Sequence, residues 1–494
     1  MEPATARMPD WLAYRAAVTP ERPALLAPGV RWSFAELCRA TERTARQLAS
    51  AGCGVGDRIA TLLTNSHQVP PLVHAMGRLD TLLLPLNTRL SAPELAWQLR
   101  DAGAALLLHD ARTVALAAEA ARQLSGLNVL DVAELAGLPE TSVLLRDTLD
   151  PAAIHSIVYT SGTTGRPKGA LLSYGNHWWN ATGSAMNLGS RPDDRWLAVL
   201  PLFHVGGMAI LLRSVISGFA AEVHERFDPV AVNQAIDEGA TIVSVVAAML
   251  QRMLAARGDQ PYPTTLRCVL LGGGPAPQPL LEECAARGIP VTQTYGLTET
   301  DSQVATLAPE DALRRLGSAG KPLYPNALRI SEGGRDLPPG QPGEILVRGP
   351  AVSAGYAGRP EATAEALRGG WLHTGDIGYL DADGYLYVLD RRGDLIVSGG
   401  ENVYPAEVEA ALLAHPAVAE AGVIGVPDSD WGQVPAAFVC PSEGATLTTD
   451  DLIDFCAERL ARYKVPRRIR IVAALPRNAT GKLLRRQLRE EWRG

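Results

Sequence analysis

The stretch Tyr159–Asn176 reads YTSGTTGRPKGALLSYGN and continues the apolar run HSIVY, residues 155–159. The apolar run predicts a strand, so the loop is expected at the carboxyl end of that strand, where α/β proteins bind their ligands. Its glycines let backbone N–H groups approach an anion, and its hydroxyls and Lys168 add further donors. The loop is therefore predicted to bind phosphate; a Ser/Gly/Thr turn without a ligand is the open alternative.

The spacing of this loop separates it from the common nucleotide-binding loop. That loop has a glycine, four residues and then Gly-Lys-Ser/Thr. Here Pro167 precedes Lys168, and Gly169 and Ala170 follow it. A different kind of phosphate-binding loop is indicated.

Strand and helix patterns alternate on both sides of the loop. Ser33–Glu36 has the form of a capping box that opens a helix, and Asp57–Asn65 (DRIATLLTN) has the apolar character of a buried strand. Thr241–Val246 and Leu266–Gly274 repeat the strand pattern. This alternation predicts an α/β fold with a parallel sheet that helices cover on both faces.

The sequence pattern changes after about Gly317, where short strand patterns separated by Gly/Asp turns predict a β-rich subdomain. The last part of the chain combines helix and strand patterns in a small α+β unit. We predict a large N-terminal domain over residues 1–392 and a small C-terminal domain over residues 393–494.

Composition restricts the partners of the chain. The protein has 494 residues, of which 47% are hydrophobic and 20% charged, and its net charge is −7. These values are typical of a globular protein of several domains and do not favour nucleic acid or an anionic membrane as partner. The six cysteines contain no Cys-x-x-Cys pair, and the apolar run Leu197–Leu212 is interrupted by proline, histidine and glycine. We expect a cytoplasmic protein without stable membrane insertion; monomer and homo-oligomer both stay open.

Five further motifs carry groups suited to a nucleotide and its metal. Gln293–Thr300 (QTYGLTET) contains Glu299, an oxygen ligand of the kind Mg²⁺ prefers. Leu270–Pro277 (LLGGGPAP) ends a strand in glycines, where a flat ring could lie on the backbone. The other three motifs are WLHTGD, DRRGDLIVSGGENVYP and LPRNATGKLLR, which contribute Asp376, Arg391 and Lys482. A turn-capping Asp376 and a solvated Lys482 are the simpler alternatives.

In this order the six motifs resemble the adenylate-forming superfamily of acyl-CoA synthetases, luciferases and peptide-synthetase adenylation domains. Within it, residues 175–189, 200–218, 270–284 and 316–323 resemble the o-succinylbenzoate–CoA ligases of menaquinone biosynthesis. The resemblance implies an ATP-dependent acid–CoA ligase that forms an acyl-adenylate and then a thioester. Another short-chain or aryl acyl-CoA ligase is the nearest alternative; a peptide-synthetase module and an inactive ATP-binding regulator are more distant ones.

The resemblance also implies a role for each motif residue. The catalytic residues would be Lys482, His204 and Glu299, with Glu299 as the Mg²⁺ ligand. The ATP site would comprise Thr160, Ser161, Gly162, Thr163, Thr164, Gly165 and Lys168 at the phosphates, Gly273, Gly274, Thr294 and Tyr295 around the adenine, and Asp376 and Arg391 at the ribose. Gly296 and Thr298 would be further residues of this site. Coenzyme A would contact Ser398, Gly399 and Gly400. The small-molecule acid would contact His204, Arg213, Gly272 and Ser302.

The superfamily resemblance implies that the C-terminal domain rotates between the two half-reactions. The hinge position, often Asp or Lys in the superfamily, is Gly393 in this sequence. Glycine adapts to large backbone changes, so Gly393 is compatible with rotation.

His204 and Arg213 lie in an otherwise apolar run that contains Gly206 and Gly207. A buried arginine needs an anion or must reach water with its charged end. If the helix begins after the glycines, Arg213 projects from its wall and His204 sits at the mouth of an acid pocket. Arg213 is then predicted to face the second carboxylate of a dicarboxylic acid; a snorkelling arginine and a core histidine are the alternatives.

Overall fold

The structure, a computed structural model, describes residues 7–160, 167–273, 276, 278–390, 394, 396–403, 405–442, 444–476, 483 and 485–493. The chain forms two compact units. Unit 1 contains Met1–Thr88, Leu99–Val158 and Gly169–Leu389, and unit 2 contains Arg89–Gln98, Tyr159–Lys168 and Asp390–Gly494. The predicted boundary between residues 392 and 393, and the hinge position Gly393, lie outside the described residues. The division at that point stays a prediction.

The helices of the described residues are numbered in chain order. They are α1 (Trp11–Val18), α2 (Phe34–Ser50), α3 (Val69–Leu79), α4 (Ala92–Ala102), α5 (Val114–Ala121), α6 (Val132–Gly137), α7 (Tyr174–Leu188), α8 (Val205–Ser217), α9 (Pro229–Asp237), α10 (Ala247–Arg257), α11 (Gln278–Ala286), α12 (Pro360–Ala366), α13 (Pro405–Leu413), α14 (Thr449–Ala457) and α15 (Arg485–Arg493). Short 3₁₀ turns cover Thr298–Thr300 and Pro309–Asp311. None of the described helices is both long and apolar enough to cross a membrane.

The strands of the same residues are numbered in the same way. They are β1 (Met8–Pro9), β2 (Pro23–Ala27), β3 (Val30–Ser33), β4 (Arg58–Leu62), β5 (Leu82–Pro85), β6 (Leu106–His109), β7 (Asn128–Asp131), β8 (Thr148–Leu149), β9 (Ile154–Thr160), β10 (Lys168–Ser173), β11 (Arg195–Ala198), β12 (Ala220–Val223), β13 (Ile242–Val245), β14 (Cys268–Leu271), β15 (Val291–Tyr295), β16 (Ala305–Thr306), β17 (Lys321–Pro322), β18 (Ala327–Glu332), β19 (Arg335–Asp336), β20 (Gly343–Arg348), β21 (Leu367–Arg368), β22 (Trp371–Leu380), β23 (Leu386–Asp390), β24 (Ile396–Ser398), β25 (Glu401–Val403), β26 (Val418–Asp428), β27 (Gly432–Pro441) and β28 (Arg468–Ile471).

Two large sheets with parallel cores account for most of unit 1. The first has the order β10-β9-β5-β4-β6-β7, in which β9, β5, β4, β6 and β7 run parallel. The second has the order β17-β16-β15-β14-β13-β11-β12-β2-β3 and is parallel from β15 to β2. The α/β prediction is confirmed. The strands of these sheets are apolar along their length because helices cover parallel sheets on both faces.

Local sequence signals account for several of these elements. Ser33 and Glu36 form both reciprocal bonds of a capping box at the start of α2, as predicted. Phe34, at its first position, is fully buried in the main core. In the C-terminal part, the sequence also predicts a helix from about Asp450 to Tyr463. The structure has a shorter helix there, α14, which covers Thr449–Ala457.

The β-rich part of unit 1 is an antiparallel sheet in the order β19-β18-β20-β22-β21, and β23 also pairs with β22. One of the predicted Gly/Asp turns is Asp381–Gly384, which connects β22 and β23. The Gly384 N–H donates to the Asp381 carbonyl at 3.0 Å, and the φ of Gly384 is 81°. Glycine suits this turn because residues with a side chain rarely adopt that conformation.

Unit 2 contains a five-stranded sheet in the order β25-β24-β27-β26, with β28 parallel to β27. A buried ion cluster also lies in this unit. The Lys464 ammonium donates to Glu94 Oε1 at 2.8 Å and to Glu407 Oε1 at 2.7 Å. Burial by itself would lower the pKa of Lys464, but the two carboxylates raise it. The buried charge of Lys464 is therefore compensated inside the protein.

Candidate active site

The phosphate-loop motif lies between two strands. β9 ends at Thr160 and β10 begins at Lys168, and both residues are half-buried. The Thr160 hydroxyl lies 3.4 Å from the Lys168 carbonyl, to which it donates a long hydrogen bond. The other predicted phosphate ligands, Ser161, Gly162, Thr163, Thr164 and Gly165, lie outside the described residues. The motif thus follows a strand, as predicted, and leads into a second strand rather than a helix.

The motifs LLGGGPAP and QTYGLTET lie at the ends of two neighbouring parallel strands, β14 and β15. β14 and β15 pair in register with Leu271 opposite Gln293, so their carboxyl ends meet at one edge of the sheet. A Cβ on Gly272 would lie 2.8 Å from the Thr294 methyl group, and Gly273 has a φ of 80°. Glycine is therefore needed at 272 for close packing against Thr294 and at 273 for its backbone conformation. Gly274 lies outside the described residues.

Thr294 has a structural partner. Its hydroxyl donates to the Ala305 carbonyl at 3.0 Å and lies 2.8 Å from the Thr306 hydroxyl. This hydroxyl therefore links β15 to β16. A contact of Thr294 with adenine, which stays a prediction, would use its other atoms.

Tyr295 and Asp376 come from different sheets and meet in the structure. The Tyr295 hydroxyl donates to Asp376 Oδ2 at 2.7 Å, and both side chains are buried. The Asp376 N–H donates to the Thr374 hydroxyl at 3.0 Å, which fixes the backbone beside the carboxylate. The structure thus joins a predicted adenine residue to a predicted ribose residue. Arg391, the second predicted ribose residue, lies outside the described residues.

Glu299 lies in a tight turn directly after β15. The turn is compact at Gly296, where an added Cβ would lie only 1.4 Å from the Ser302 carbonyl oxygen. Thr298 and Glu299 begin the 3₁₀ segment, and the Tyr356 hydroxyl donates to Glu299 Oε1 at 2.8 Å. Any side chain at position 296 would force this turn apart.

The donor set around Glu299 fits Mg²⁺ shared with a phosphate. No group of three or more histidine, cysteine or acidic side chains that could hold a metal occurs among the described residues. Mg²⁺ typically binds one or two protein carboxylates and takes its other ligands from substrate phosphates and water. A single half-buried carboxylate such as Glu299 matches that requirement.

His204 and Arg213 belong to one helix, but the helix begins earlier than predicted. α8 starts at Val205, with His204 as its N-cap, so Gly206 and Gly207 lie inside its first turn. The condition set for the acid pocket, a helix that begins after the glycines, is therefore not met. The reason is a close approach of two backbones, because a Cβ on Gly207 would lie 2.3 Å from the Pro201 carbonyl oxygen.

Arg213 lies inside the protein, where only 2% of its surface is exposed. Its Nη2 donates to Asn180 Oδ1 at 2.5 Å, and the guanidinium carbon lies 5.5 Å from the centre of the Trp196 ring. Burial lowers the pKa of Arg213 to about 10, and the nearby Asp301 carboxylate raises it. Its buried Nε has no hydrogen-bond partner among the described residues. Snorkelling to water is excluded by this burial, and contact with a substrate carboxylate stays a prediction.

The predicted coenzyme A residues form a turn in unit 2. Ser398 ends β24, and Gly399 and Gly400 follow with φ values of 59° and 84°. The Gly399 N–H donates to the Trp431 carbonyl at 2.9 Å, and a Cβ on Gly399 would lie 2.6 Å from the Trp431 ring. The turn therefore needs glycine for both conformation and space. The catalytic candidate Lys482 lies outside the described residues.

Sequence reasoning missed three polar residues beside the Glu299 turn. They are His177 and Asn180 on α7 and Asp301 after the 3₁₀ segment, and all three are buried. His177 is hydrogen-bonded to Asp301, and Asn180 donates to the Gln303 carbonyl. A histidine and an asparagine three positions apart in the otherwise apolar segment around WW could have indicated a polar face on this helix.

Comparison with known proteins identifies the family. The family model described as AMP-binding enzyme matches residues 12–357, and the model described as AMP-binding enzyme C-terminal domain matches residues 407–482. This chain belongs to the AMP-binding enzyme family. The matches to the two models include both glycine motifs, Glu299 and the C-terminal Gly-Lys turn.

Individual members of the AMP-binding enzyme family are similar along nearly the whole chain. The 2-succinylbenzoate–CoA ligase of Geobacillus kaustophilus (strain HTA426) is 56% identical and covers 98% of this chain and 97% of that protein. A double mutant of o-succinylbenzoate CoA synthetase from Bacillus subtilis, bound with its product analogue OSB-NCoA, has a TM-score of 0.93 at 45% identity over 98% of this chain and 99% of its own. The same synthetase in complex with ATP and magnesium ion has a TM-score of 0.75 at 45% identity over 98% of this chain and 100% of its own.

Proposed function

We propose that this protein is an ATP-dependent acid–CoA ligase of menaquinone biosynthesis. It converts 2-succinylbenzoate, ATP and coenzyme A to 2-succinylbenzoyl-CoA, AMP and diphosphate. The observation that carries the proposal is the 56% identity to a 2-succinylbenzoate–CoA ligase over 98% of the chain. The edge of the sheet at which β14 and β15 end supports it. Glycines follow β14, Glu299 follows β15, and Tyr295 at the end of β15 donates a hydrogen bond to Asp376.

The reaction proceeds in two steps. A substrate carboxylate oxygen attacks the α-phosphorus of ATP, the bond to the diphosphate breaks, and an acyl-adenylate forms. The sulfur of coenzyme A then attacks the acyl carbon, the thiol proton is lost, and the bond to AMP breaks. Both steps move negative charge onto oxygen atoms, so fixed cations aimed at those oxygens lower the barrier.

The protein's residues are proposed to divide these tasks. Lys482 stabilises charge between the carboxylate and the α-phosphate, and the loop from Thr160 to Lys168 holds the other phosphates. Asp376, oriented by the Tyr295 hydroxyl at 2.7 Å, accepts hydrogen bonds from ribose. Glu299 would hold Mg²⁺, which when bound neutralises phosphate charge.

The acid and coenzyme A sites rest on fewer contacts. We propose that the Arg213 Nε, buried without a partner among the described residues, pairs with the distal carboxylate of the acid. His204, Gly272 and Ser302 are proposed to line the rest of the acid site. Ser398, Gly399 and Gly400 are proposed to contact coenzyme A. We infer a cytoplasmic location from the supply of ATP and coenzyme A there.

A panel of acids tests the proposal. Diphosphate release and thioester formation would be measured with 2-succinylbenzoate, benzoate and a short fatty acid, each with ATP, Mg²⁺ and coenzyme A. The highest kcat/KM is expected with 2-succinylbenzoate. A higher kcat/KM with benzoate or the fatty acid would favour the alternative, another aryl or short-chain acyl-CoA ligase. No turnover with any acid would favour an ATP-binding regulator.

A further inference from the structure

The turn that carries Glu299 is held by two buried side chains of α7. His177 Nδ1 donates to Asp301 Oδ2 at 2.8 Å. Asn180 Nδ2 donates to the carbonyls of Thr300 at 3.2 Å and Gln303 at 2.8 Å. Residues three positions apart lie on the same face of a helix, so His177 and Asn180 contact the turn side by side.

The backbone of this turn needs such support. Asp301 and Ser302 have φ values of 53° and 92°, and both are residues with a side chain. Such conformations are unfavourable for residues other than glycine and persist only where the surrounding structure enforces them. They lie directly after the 3₁₀ segment Thr298–Thr300, so the direction of the Glu299 side chain depends on them.

His177 is itself held by a second histidine. Its Nε2 lies 3.0 Å from Nδ1 of His155, and His155 Nε2 donates to the Val73 carbonyl at 3.1 Å. Burial and the neighbouring His177 lower the pKa of His155 well below its ordinary value. The orientation of both rings is therefore determined by bonds at each nitrogen.

We propose that His177 and Asp301 are positioning residues for Mg²⁺·ATP, acting through the turn that presents Glu299. The proposal rests on the proposed function, because it takes Glu299 as the metal ligand. Neither residue need touch ATP. Their pair keeps Asp301 and Ser302 in the left-handed conformation, which keeps the Glu299 carboxylate directed at the metal.

Two histidine variants and two aspartate variants test this proposal. His177→Gln removes the ring from the turn, and His109→Gln is the matched control, because His109 is also buried and lies 3.5 Å from an aspartate, Asp131. Asp301→Ala and Asp301→Gly both remove the carboxylate, but only glycine adopts a φ near 53° without strain. Binding of a non-hydrolysable ATP analogue with Mg²⁺ would be measured by titration calorimetry, and KM values by diphosphate release.

We expect His177→Gln to weaken binding of the analogue with Mg²⁺ by about tenfold. His109→Gln should leave that binding unchanged. Asp301→Gly should bind the analogue more tightly than Asp301→Ala, because it keeps the backbone shape. This order separates positioning from a general loss of stability, which would not favour glycine.

Two results would overturn the proposal. One is analogue binding by His177→Gln equal to that of His109→Gln. The other is equal or weaker binding of the analogue by Asp301→Gly compared with Asp301→Ala. Absence of turnover in the unmodified protein would contradict the proposed function instead, and the calorimetric comparison would still decide the role of the pair.

Discussion

Replacement of Asp376 by asparagine tests the proposed nucleotide site most directly. The Asp376 carboxylate is 5% exposed and accepts a 2.7 Å hydrogen bond from the Tyr295 hydroxyl. Asparagine has nearly the same shape, and its carbonyl oxygen can still accept that bond. The substitution therefore removes the charge while the connection between the two sheets is kept.

The expected effect follows from the strength of charged hydrogen bonds. A hydrogen bond to a charged group contributes about 1.5–3 kcal/mol, roughly twice the value for a neutral pair. Loss of the charge should therefore weaken ribose binding by about 1–2 kcal/mol, and 1.4 kcal/mol is a factor of about ten. We expect the KM for ATP to rise by about tenfold in Asp376→Asn, with the KM for the acid unchanged.

The assay is diphosphate release at saturating acid with ATP varied. Asp336→Asn is the matched control, because Asp336 lies in the same antiparallel sheet, with 61% of its side chain exposed, and pairs with Arg329. Its KM for ATP should not change. An unchanged KM for ATP in Asp376→Asn, together with an unchanged Tm, would refute the assignment of Asp376 to ribose.

Three further substitutions address the catalytic lysine, the acid and the ion cluster. Lys482→Ala should reduce adenylate formation by about 10²–10³-fold, the effect of losing one charge-stabilising donor, and should spare thioester formation from supplied acyl-adenylate; equal losses in both steps would argue against this role. Arg213→Ala should raise the KM for 2-succinylbenzoate by about tenfold with the KM for ATP unchanged; a rise in the KM for ATP alone would assign Arg213 to the support of Asn180 instead. Lys464→Met should lower the free energy of unfolding of unit 2 by about 3–5 kcal/mol, measured by denaturant unfolding, because it leaves Glu94 and Glu407 buried without their cation. Adding Glu407→Gln should recover part of that loss, and no recovery would contradict the electrostatic explanation.

Local patterns were sufficient to predict the class of fold. The alternation of apolar strand runs with helices predicts parallel sheets, and the Ser33–Glu36 pair predicts the start of α2 because both bonds form within four residues. The glycines after β14 and the Gly296 position could also be recognised, since each follows a strand directly. These features depend only on residues that are neighbours in the sequence, and they can therefore be predicted from it.

The start of α8 could not be predicted in this way. Gly206 and Gly207 resemble a break before a helix, yet they lie within its first turn. The cause is the Pro201 carbonyl oxygen, which would lie 2.3 Å from a Cβ on Gly207. Glycine is needed there for close packing. The low helix propensity of glycine, which sequence analysis uses, contains no information about such packing.

The positions of Arg213 and of the His177–Asp301 pair were decided by the tertiary structure alone. His177 and Asp301 are 124 positions apart, and Arg213 is 33 positions from Asn180. Polar residues in a helix usually face water, so sequence pattern does not distinguish a solvent-facing histidine from one that holds a distant turn. Only the folded chain brings α7, α8 and the end of β15 together, where His177 and Asn180 form hydrogen bonds to the turn after β15 and Arg213 donates to Asn180.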